Sequence, residues 1–293
     1  MKSYIQAIKI LKACKIKIND EIINVSDSLN RVSSTKIYAN SDYPGANNAS
    51  FDGFVIRSSD TNRLNKKNYK KFKIIGSIPA GSKPLKKKIK KFQAFEIMTG
   101  GIIPKSLNTI IPIEQIIFHP NRKKAKYIIL NKKISKYEHI RFKGSDYKKK
   151  DLILNKGTIL QPNHILALKT LGIQKIKVKK KPNILFFSTG NEITNKKKIF
   201  DWEVRNSNCN YIHSLNERFL FNFKDGGILK DNQNNLFEAH IKKMIKSKID
   251  LIITSGAVSA GKFDFVPQIV KKFKLSNYLK SVAIRPGKPI MFA

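Results

Sequence analysis

Asn183-Ile184-Leu185-Phe186-Phe187-Ser188-Thr189-Gly190-Asn191-Glu192 decides the fold class. An unbroken apolar run passes directly into a polar loop carrying glycine, with no alternation of apolar and polar positions. Such a strand is buried on both faces, as in a parallel sheet covered by helices. A second compact run, 250–254, leads into Ser255-Gly256-Ala257-Val258-Ser259-Ala260-Gly261-Lys262-Phe263-Asp264. A third, 281–284, leads into Arg285-Pro286-Gly287-Lys288-Pro289, and a shorter extended stretch, 227–230, closes at Asp231. Helical spacing over 208–220 and 234–246 fills the intervals, which gives a βαβ layout. In an open parallel sheet, ligands sit outside the carboxyl ends of the strands. Glu192, Asp231 and Asp264 are therefore expected to converge on one crevice, opposite the cationic turn that holds Arg285 and Lys288.

The residue types in these loops suit an anionic, phosphorylated small molecule. Carboxylates can hold a divalent cation, while Gly256 and Gly261 allow close backbone approach and Ser255 and Ser259 add hydroxyls. A helix from Phe265 onward would aim its first amides at an anion. Each feature also has a plainer reading. Glu192 and Asp231, taken singly, read as solvated loop acids. Asp264 reads as the N-cap of the following helix, worth about 0.5–2 kcal/mol against alanine. The Arg285–Lys288 turn reads as an ordinary connection in a lysine-rich chain.

Upstream the pattern changes. Apolar residues at Ile5, Ile8, Leu11 and Cys14 predict an amphipathic helix over 4–18, and a second short helix is expected over 25–32 with Ser26 as its N-cap. Residues 42–50 are dense in turn formers and are expected to lack regular structure. Short apolar runs at 72–75, 92–98, 109–113 and 127–130, with a strand starting near 51–56, predict a small β domain. Pro162 and Gly172 mark the start and stop of a helix over 162–171. The expected organisation is mixed α/β and β in three domains. These are an elongated α+β linking and dimerisation domain (1–40 and 131–180), a small β domain (41–130) and a three-layer αβα domain (181–293).

The 293 residues are 41% hydrophobic, enough for substantial cores, and no apolar run nears the ~20 residues that span a bilayer. Cys14 and Cys209 stand far apart, which argues for a reducing cytoplasm and against a thiolate metal site. The five histidines show no metal-ligand spacing, and neither a Ser-His-Asp signature nor a P-loop occurs. The net charge of +38 invites a nucleic-acid reading. However, the lysines run from end to end beside a broad excess of Ile and Asn, as codon drift in an A+T-rich genome would produce. Base-reading motifs are missing, so no specific nucleic acid is expected, only salt-sensitive attraction of anions.

Taken in order, the clusters resemble the molybdopterin molybdenumtransferase family, which includes the gephyrin E domain. Pro44…Asn48-Ala49-Ser50-Phe51-Asp52-Gly53-Phe54 is similar to that family's Asn-Ser-Ala-Met-Asp-Gly-Tyr element. Glu96-Ile97-Met98-Thr99-Gly100-Gly101…Pro104, followed by Glu114, is similar to its Arg-Ile-Met-Thr-Gly-Ala…Pro element and the acid after it. Gly144-Ser145-Asp146, Gly157-Thr158, Leu171-Gly172, the Ser188–Glu192 loop, Asn206-Ser207-Asn208, the Ser255–Asp264 loop and Arg285–Pro289 complete the series. On residues alone, Asp52-Gly53 and Met98–Gly101 read only as turns. The resemblance implies a magnesium-assisted insertion of molybdate into adenylylated molybdopterin, with release of AMP. It assigns Glu192, Asp231 and Asp264 to magnesium or the phosphate side. Ser188, Thr189, Gly190, Ser255, Gly256, Ser259, Gly261, Arg285, Pro286, Gly287 and Lys288 would bind substrate. Asp52 and Thr99 would complete the cleft from the other subunit of a homodimer, and molybdoenzymes or the adenylyltransferase would be partners.

The chain departs from the family at several places. Ala49 replaces the usual Ser, Asn47 an acid, Glu96 an Arg, and Ala257 the second glycine of the Ser-Gly-Gly loop. Alanine at 257 removes φ freedom. Family members continue through a Gly-Asn-Pro motif, further helix and a C-terminal β domain, whereas this sequence stops at Ala293, as a fragment or a shortened gene product would. Two other readings stay open: a catalytically impaired pterin-binding, dimerising remnant or scaffold, and a nonspecific nucleic-acid-binding basic protein. The related adenylyltransferase is a closer rival, but its Gly-Gly-Thr-Gly…Arg-Asp signature is not what Ser255–Gly261 spells.

Overall fold

A computed structural model describes residues 1–14, 16–86, 88–216, 220–231, 233–245, 249–258, 265–276 and 278–293. The fold is mixed α/β and divides into two compact units, one formed by 1–35, 156–165 and 175–293, the other by 36–155 and 166–174. No helix among the described residues is long and apolar enough to cross a membrane.

The second unit is built on a six-stranded sheet ordered Thr109–Pro112, Gly53–Ile56, Gln93–Ile97, Lys70–Ile78, Tyr127–Leu130, Ile117–His119. All pairs are antiparallel except Lys70–Ile78 with Gln93–Ile97. Side chains alternate between the two faces of the sheet with a period of two. Phe54, Ile56, Phe72, Ala94, Ile111 and Ile128 fill a core on one face. Val55, Ile78, Phe95, Ile97 and Ile110 fill a second core on the other. Both faces are covered, so Gly53–Ile56 is buried at every position.

The first unit contains a three-stranded parallel sheet ordered Asn222–Leu229, Asn183–Thr189, Leu251–Ser255. Helices Ser207–Ser214, Asn234–Ile245 and Val266–Lys272 follow its strands. Phe187, fully buried, meets Phe237 edge-on at 5.6 Å, and Leu185, Leu229, Ile241, Phe265 and Ile269 join them in one core. Phe186, on the opposite side of the pleat, stacks on Phe223 at 6.2 Å. An antiparallel pair, Asp20–Asn24 with Lys175–Lys179, belongs to the same unit.

Several expectations need correction. The N-terminal helix runs only over Tyr4–Ala13, opened by a capping box between Ser3 and Gln6, and Cys14 is already extended. The physical reason lies in the pattern: Ile16 and Ile18 alternate with lysines at period two, which no longer suits a helical face. The helix expected over 25–32 is a single 3-10 turn, Val25–Asp27, without a side-chain cap. There the Ser28 hydroxyl donates to the Val25 carbonyl at 2.6 Å and Asn30 takes φ +60°, so local bonds end the turn. Within the stretch expected to lack regular structure, Asn48–Ala49 pairs with Ile140–Arg141. The stretch ending at Asp231 is the eight-residue strand Asn222–Leu229. The run 281–284 joins no sheet among the described residues and makes one isolated bridge, Val282 to Lys2.

Candidate functional site

Three loops leave the carboxyl ends of the three parallel strands, after Thr189, Leu229 and Ser255. Ser188 and Ser255 are paired across the central and edge strands, which sets the loops in register. Ser188 and Thr189 are buried, and their hydroxyls are already engaged. Ser188 Oγ donates to Asn206 Oδ1 at 2.5 Å and Thr189 Oγ1 to the Ser255 carbonyl at 3.0 Å. Gly256 takes φ +119°, and a Cβ there would sit 2.7 Å from Thr189 Oγ1. Glycine is therefore required twice over, by conformation and by contact.

The first two loops are clamped together. Gly190 N–H donates to the Leu229 carbonyl at 3.1 Å. The Asn191 side chain and Asp231 bond reciprocally: Nδ2 donates to Asp231 Oδ2 at 2.9 Å, and the Asp231 N–H donates to Asn191 Oδ1 at 3.1 Å. Beneath them the half-buried Lys230 ammonium donates to the carbonyls of Asn191 at 2.8 Å and Ile193 at 2.7 Å, with Gly190 O at 3.5 Å. The Glu192 carboxylate lies over the bare α-carbon of Gly190, where a Cβ would stand 2.5 Å from both of its oxygens. Thus Glu192 and Asp231 belong to one clamped pair of loops. Neither carboxylate is in an ion pair among the described residues, and apart from Asp231 Oδ2, which accepts from Asn191, their oxygens can meet a cation.

That donor set suits magnesium, which takes hard oxygen ligands from one or two carboxylates and keeps several waters. No group of three His, Cys, Asp or Glu gathers as a metal cage among the described residues. Asp264, Ser259 and Gly261 lie outside the described residues. Cys209 is no alternative ligand: burial, with Asp225 beside it, pushes its thiol up to about 11.

The Arg285-Pro286-Gly287-Lys288 turn is exposed, and the bonds its residues make stay within its own segment, such as Val282 N–H to the Lys288 carbonyl at 3.1 Å. Neither Arg285 nor Lys288 contacts Glu192 or Asp231 through a hydrogen bond or ion pair among the described residues. In the other unit, Asp52 and Thr99 form a direct pair. Asp52 Oδ1 accepts from the Thr99 N–H at 2.6 Å and from its hydroxyl at 2.8 Å. The backbone bond first, then the hydroxyl bond, holds this carboxyl below its ordinary value.

A cavity of about 690 Å³, lined by Ile252, Ala257, Ile269, Leu275, Ile290 and Phe292 among others, follows the Leu251–Ser255 edge rather than the carboxylates. Beside it Ala257 takes φ +55°, a left-handed conformation that costs an L side chain ~1–2 kcal/mol. Ala257→Gly is expected to stabilise the chain by ~0.5–1 kcal/mol, after allowing for the greater freedom of glycine when unfolded. Urea denaturation would measure it. A loss of stability would mean that the methyl packing against the core outweighs the strain.

Sequence reasoning missed Lys230 and the roles of Asn191 and Asn206. Asn191 and Asn206 stand in stretches already singled out, and their amides could have been suspected as loop clamps. Lys230 carries no such signal in a chain with 58 lysines and arginines.

A parallel sheet followed by helices, with loops carrying paired acids, defines the class as an α/β protein, and comparison with known proteins places it further. Residues 2–172 match the family described as MoeA N-terminal region (domain I and II), and residues 186–293 match the one described as "Probable molybdopterin binding domain". The chain belongs to the MoeA family. It is 33% identical over 267 residues to a molybdopterin molybdenumtransferase of Staphylococcus aureus, covering 90% of this chain and 62% of that protein. A Staphylococcus epidermidis protein of the same description is 32% identical over 284 residues, covering 96% and 66%. The chain thus spans about two thirds or less of the length of these relatives. A crystal structure of a molybdopterin biosynthesis moeA protein from Pyrococcus horikoshii superposes with a TM-score of 0.84 at 25% identity, covering 100% of this chain and 72% of that one.

Proposed function

We propose that this chain serves molybdenum cofactor biosynthesis in the cytoplasm, binding adenylylated molybdopterin, inserting molybdate into it and releasing AMP with the help of magnesium. The observation that carries the reading is the clamped pair of loops at the carboxyl end of the parallel sheet, in a chain of the MoeA family. The first unit's sheet and helices would supply the αβα layering of the pterin-binding part.

Glu192 and Asp231, with Asp264, are the residues we assign to magnesium. When bound, that ion would neutralise phosphate charge and stabilise charge developing on the departing AMP. The chain's own groups do the positioning. Asn191 fixes the direction of Asp231, and Lys230 fixes the carbonyls that carry the loop. Thr189 holds the Ser255 carbonyl, so the loops on the two strands keep a constant separation while an anion enters. Arg285 and Lys288, on an exposed turn, would neutralise molybdate or phosphate charge. In a homodimer, Asp52 and Thr99 of the partner subunit would complete the cleft.

The test is direct. Purified chain is expected to release AMP from adenylylated molybdopterin only when molybdate and magnesium are both present, as read by chromatography of the nucleotide. Tight pterin binding with no AMP formed would refute the enzyme reading and leave a pterin-binding protein.

A further inference from the structure

One exposed feature plays no part in the loops so far described. Phe200 and Trp202 lie face to face, ring centroids 4.6 Å apart and planes 5° from parallel, yet they are 57% and 71% exposed. Burying rings of this size is normally favourable, so two exposed rings stacked on each other present a flat apolar face to solvent. Their position is tied to the site. The excursion that carries them starts at Thr194 and returns at Val204, whose N–H donates to the Glu192 carbonyl at 2.8 Å. Asn206, two residues on, donates its N–H to the Thr194 carbonyl at 3.0 Å and accepts from the Ser188 hydroxyl.

The turn itself is held rigid. The Glu203 carboxylate accepts from the Phe200 N–H at 3.1 Å and from the Lys196 ammonium at 3.1 Å, while the Glu203 N–H donates to the Phe200 carbonyl at 2.9 Å. Arg205 donates to the Lys197 carbonyl at 3.1 Å. Although Lys196 is paired with Glu203 and Asp201 lies between the two aromatic residues in sequence, Lys197, Lys198 and Arg205 leave the loop with net positive charge. A preformed aromatic face inside a cationic loop matches a flat, nitrogen-rich ring attached to phosphate, because every such ring has a π-face and stacking needs no further readout.

We propose that Phe200 and Trp202 form the platform on which the planar heterocycle of the substrate stacks, with the surrounding lysines attracting its phosphate. The inference rests on the proposed function and adds to it a subsite. The shared chemistry is a fused-ring heterocycle, which the adenine and the pterin of the substrate both carry, and separate probes tell them apart.

Trp202 is the chain's one tryptophan, so its emission reports this face alone. AMP and neopterin are titrated separately into the intact chain, with inorganic phosphate as control, following Trp202 emission and, in parallel, equilibrium dialysis. The ring that occupies the platform is expected to quench Trp202 on binding, and phosphate to leave it unchanged. Trp202→Ala is expected to weaken that ligand roughly 5- to 150-fold, the range that ~1–3 kcal/mol of stacking gives. Trp202→Phe, which keeps a ring, is expected to lose no more than about threefold by the same stacking argument. Unchanged circular dichroism would show that the variants are folded. Binding by dialysis with silent emission and an unaffected Trp202→Ala variant overturns the platform alone. Failure of both AMP and neopterin to bind overturns the platform together with the function on which it rests.

Discussion

Gly53→Ala is expected to disrupt the six-stranded sheet of the second unit. A Cβ at position 53 would stand 2.0 Å from the Ile111 carbonyl oxygen, 2.9 Å from its carbon and 3.0 Å from the Pro112 α-carbon. All three are backbone atoms, and none can swing aside as a side-chain tip would. Gly53 is paired to Ile97 on one side and to Pro112 on the other, so relief requires breaking one ladder or the other. The neighbouring Phe54, Val55 and Ile56 are fully or almost fully buried and would be dragged with it. Overpacking commonly costs ~1–3 kcal/mol, and a clash against fixed backbone belongs above that range, at roughly 4 kcal/mol. This is most of the stability of a marginal domain. Gly45→Ala, where a Cβ would meet nothing within 4 Å, is expected to change stability by no more than ~0.5 kcal/mol. Denaturant unfolding of the two variants checks the contrast. Equal midpoints would mean that the two strands do not approach as closely as described. The same substitution should disturb Asp52, the adjacent residue, and with it the Thr99 pair.

Lys230→Met, which keeps the stem and removes the ammonium, is expected to unlock the Gly190–Ile193 loop. Two carbonyls lose a charged donor at 2.7 and 2.8 Å, and Gly190 O loses a weaker one at 3.5 Å. A hydrogen bond to a charged group is worth ~1.5–3 kcal/mol, and partial solvent access reduces the sum of these to about 2 kcal/mol. That corresponds to roughly 30-fold in a local opening equilibrium. The amides that register the change are Gly190, bonded to the Leu229 carbonyl, and Val204, bonded to the Glu192 carbonyl. Hydrogen exchange at these two positions should accelerate by about that factor. Exchange deep in the strand, at Phe186 and Phe187, should hold. If all four positions accelerate together, Lys230 supports the whole sheet and is not a clamp on the site.

Both predictions concern residues that the chain advertises poorly. Taken alone Asp52-Gly53 reads as a turn, since Asp-Gly pairs usually are turns, although the run 51–56 reads as a strand start. In the structure Gly53 opens a buried strand, because only a residue without Cβ fits beside the Ile111 carbonyl. Lys230 is one cation among very many, and nothing in its neighbours distinguishes it. Its function arises from carbonyls that lie 37–39 positions away and meet it only once two parallel strands pair. The Asp52–Thr99 bond is similarly nonlocal, spanning 47 positions. Likeness to a family suggested both residues, and neither spacing nor periodicity did.

What the amino-acid order determined by itself is the part governed by local rules. Unbroken apolar runs announced the parallel strands at 183–189, buried from Ile184 onward, and at 251–255, which lies at the sheet edge and is only half-buried where burial on both faces was expected. Short apolar runs in the first half announced the β-rich sheet. Pro162 and Gly172 marked the limits of a helix that runs over Pro162–Thr170 with Gly172 at φ +72°. Only the tertiary structure decided which polar groups face one another: Asn191 with Asp231, Lys230 with the loop carbonyls, Ser188 with Asn206, and two stacked rings beside them. The reason is physical. Burial of apolar surface is nondirectional and can be read from composition and period, whereas hydrogen bonds and ion pairs depend on distances of a few tenths of an ångström that exist only after strands from distant parts of the chain have been brought side by side.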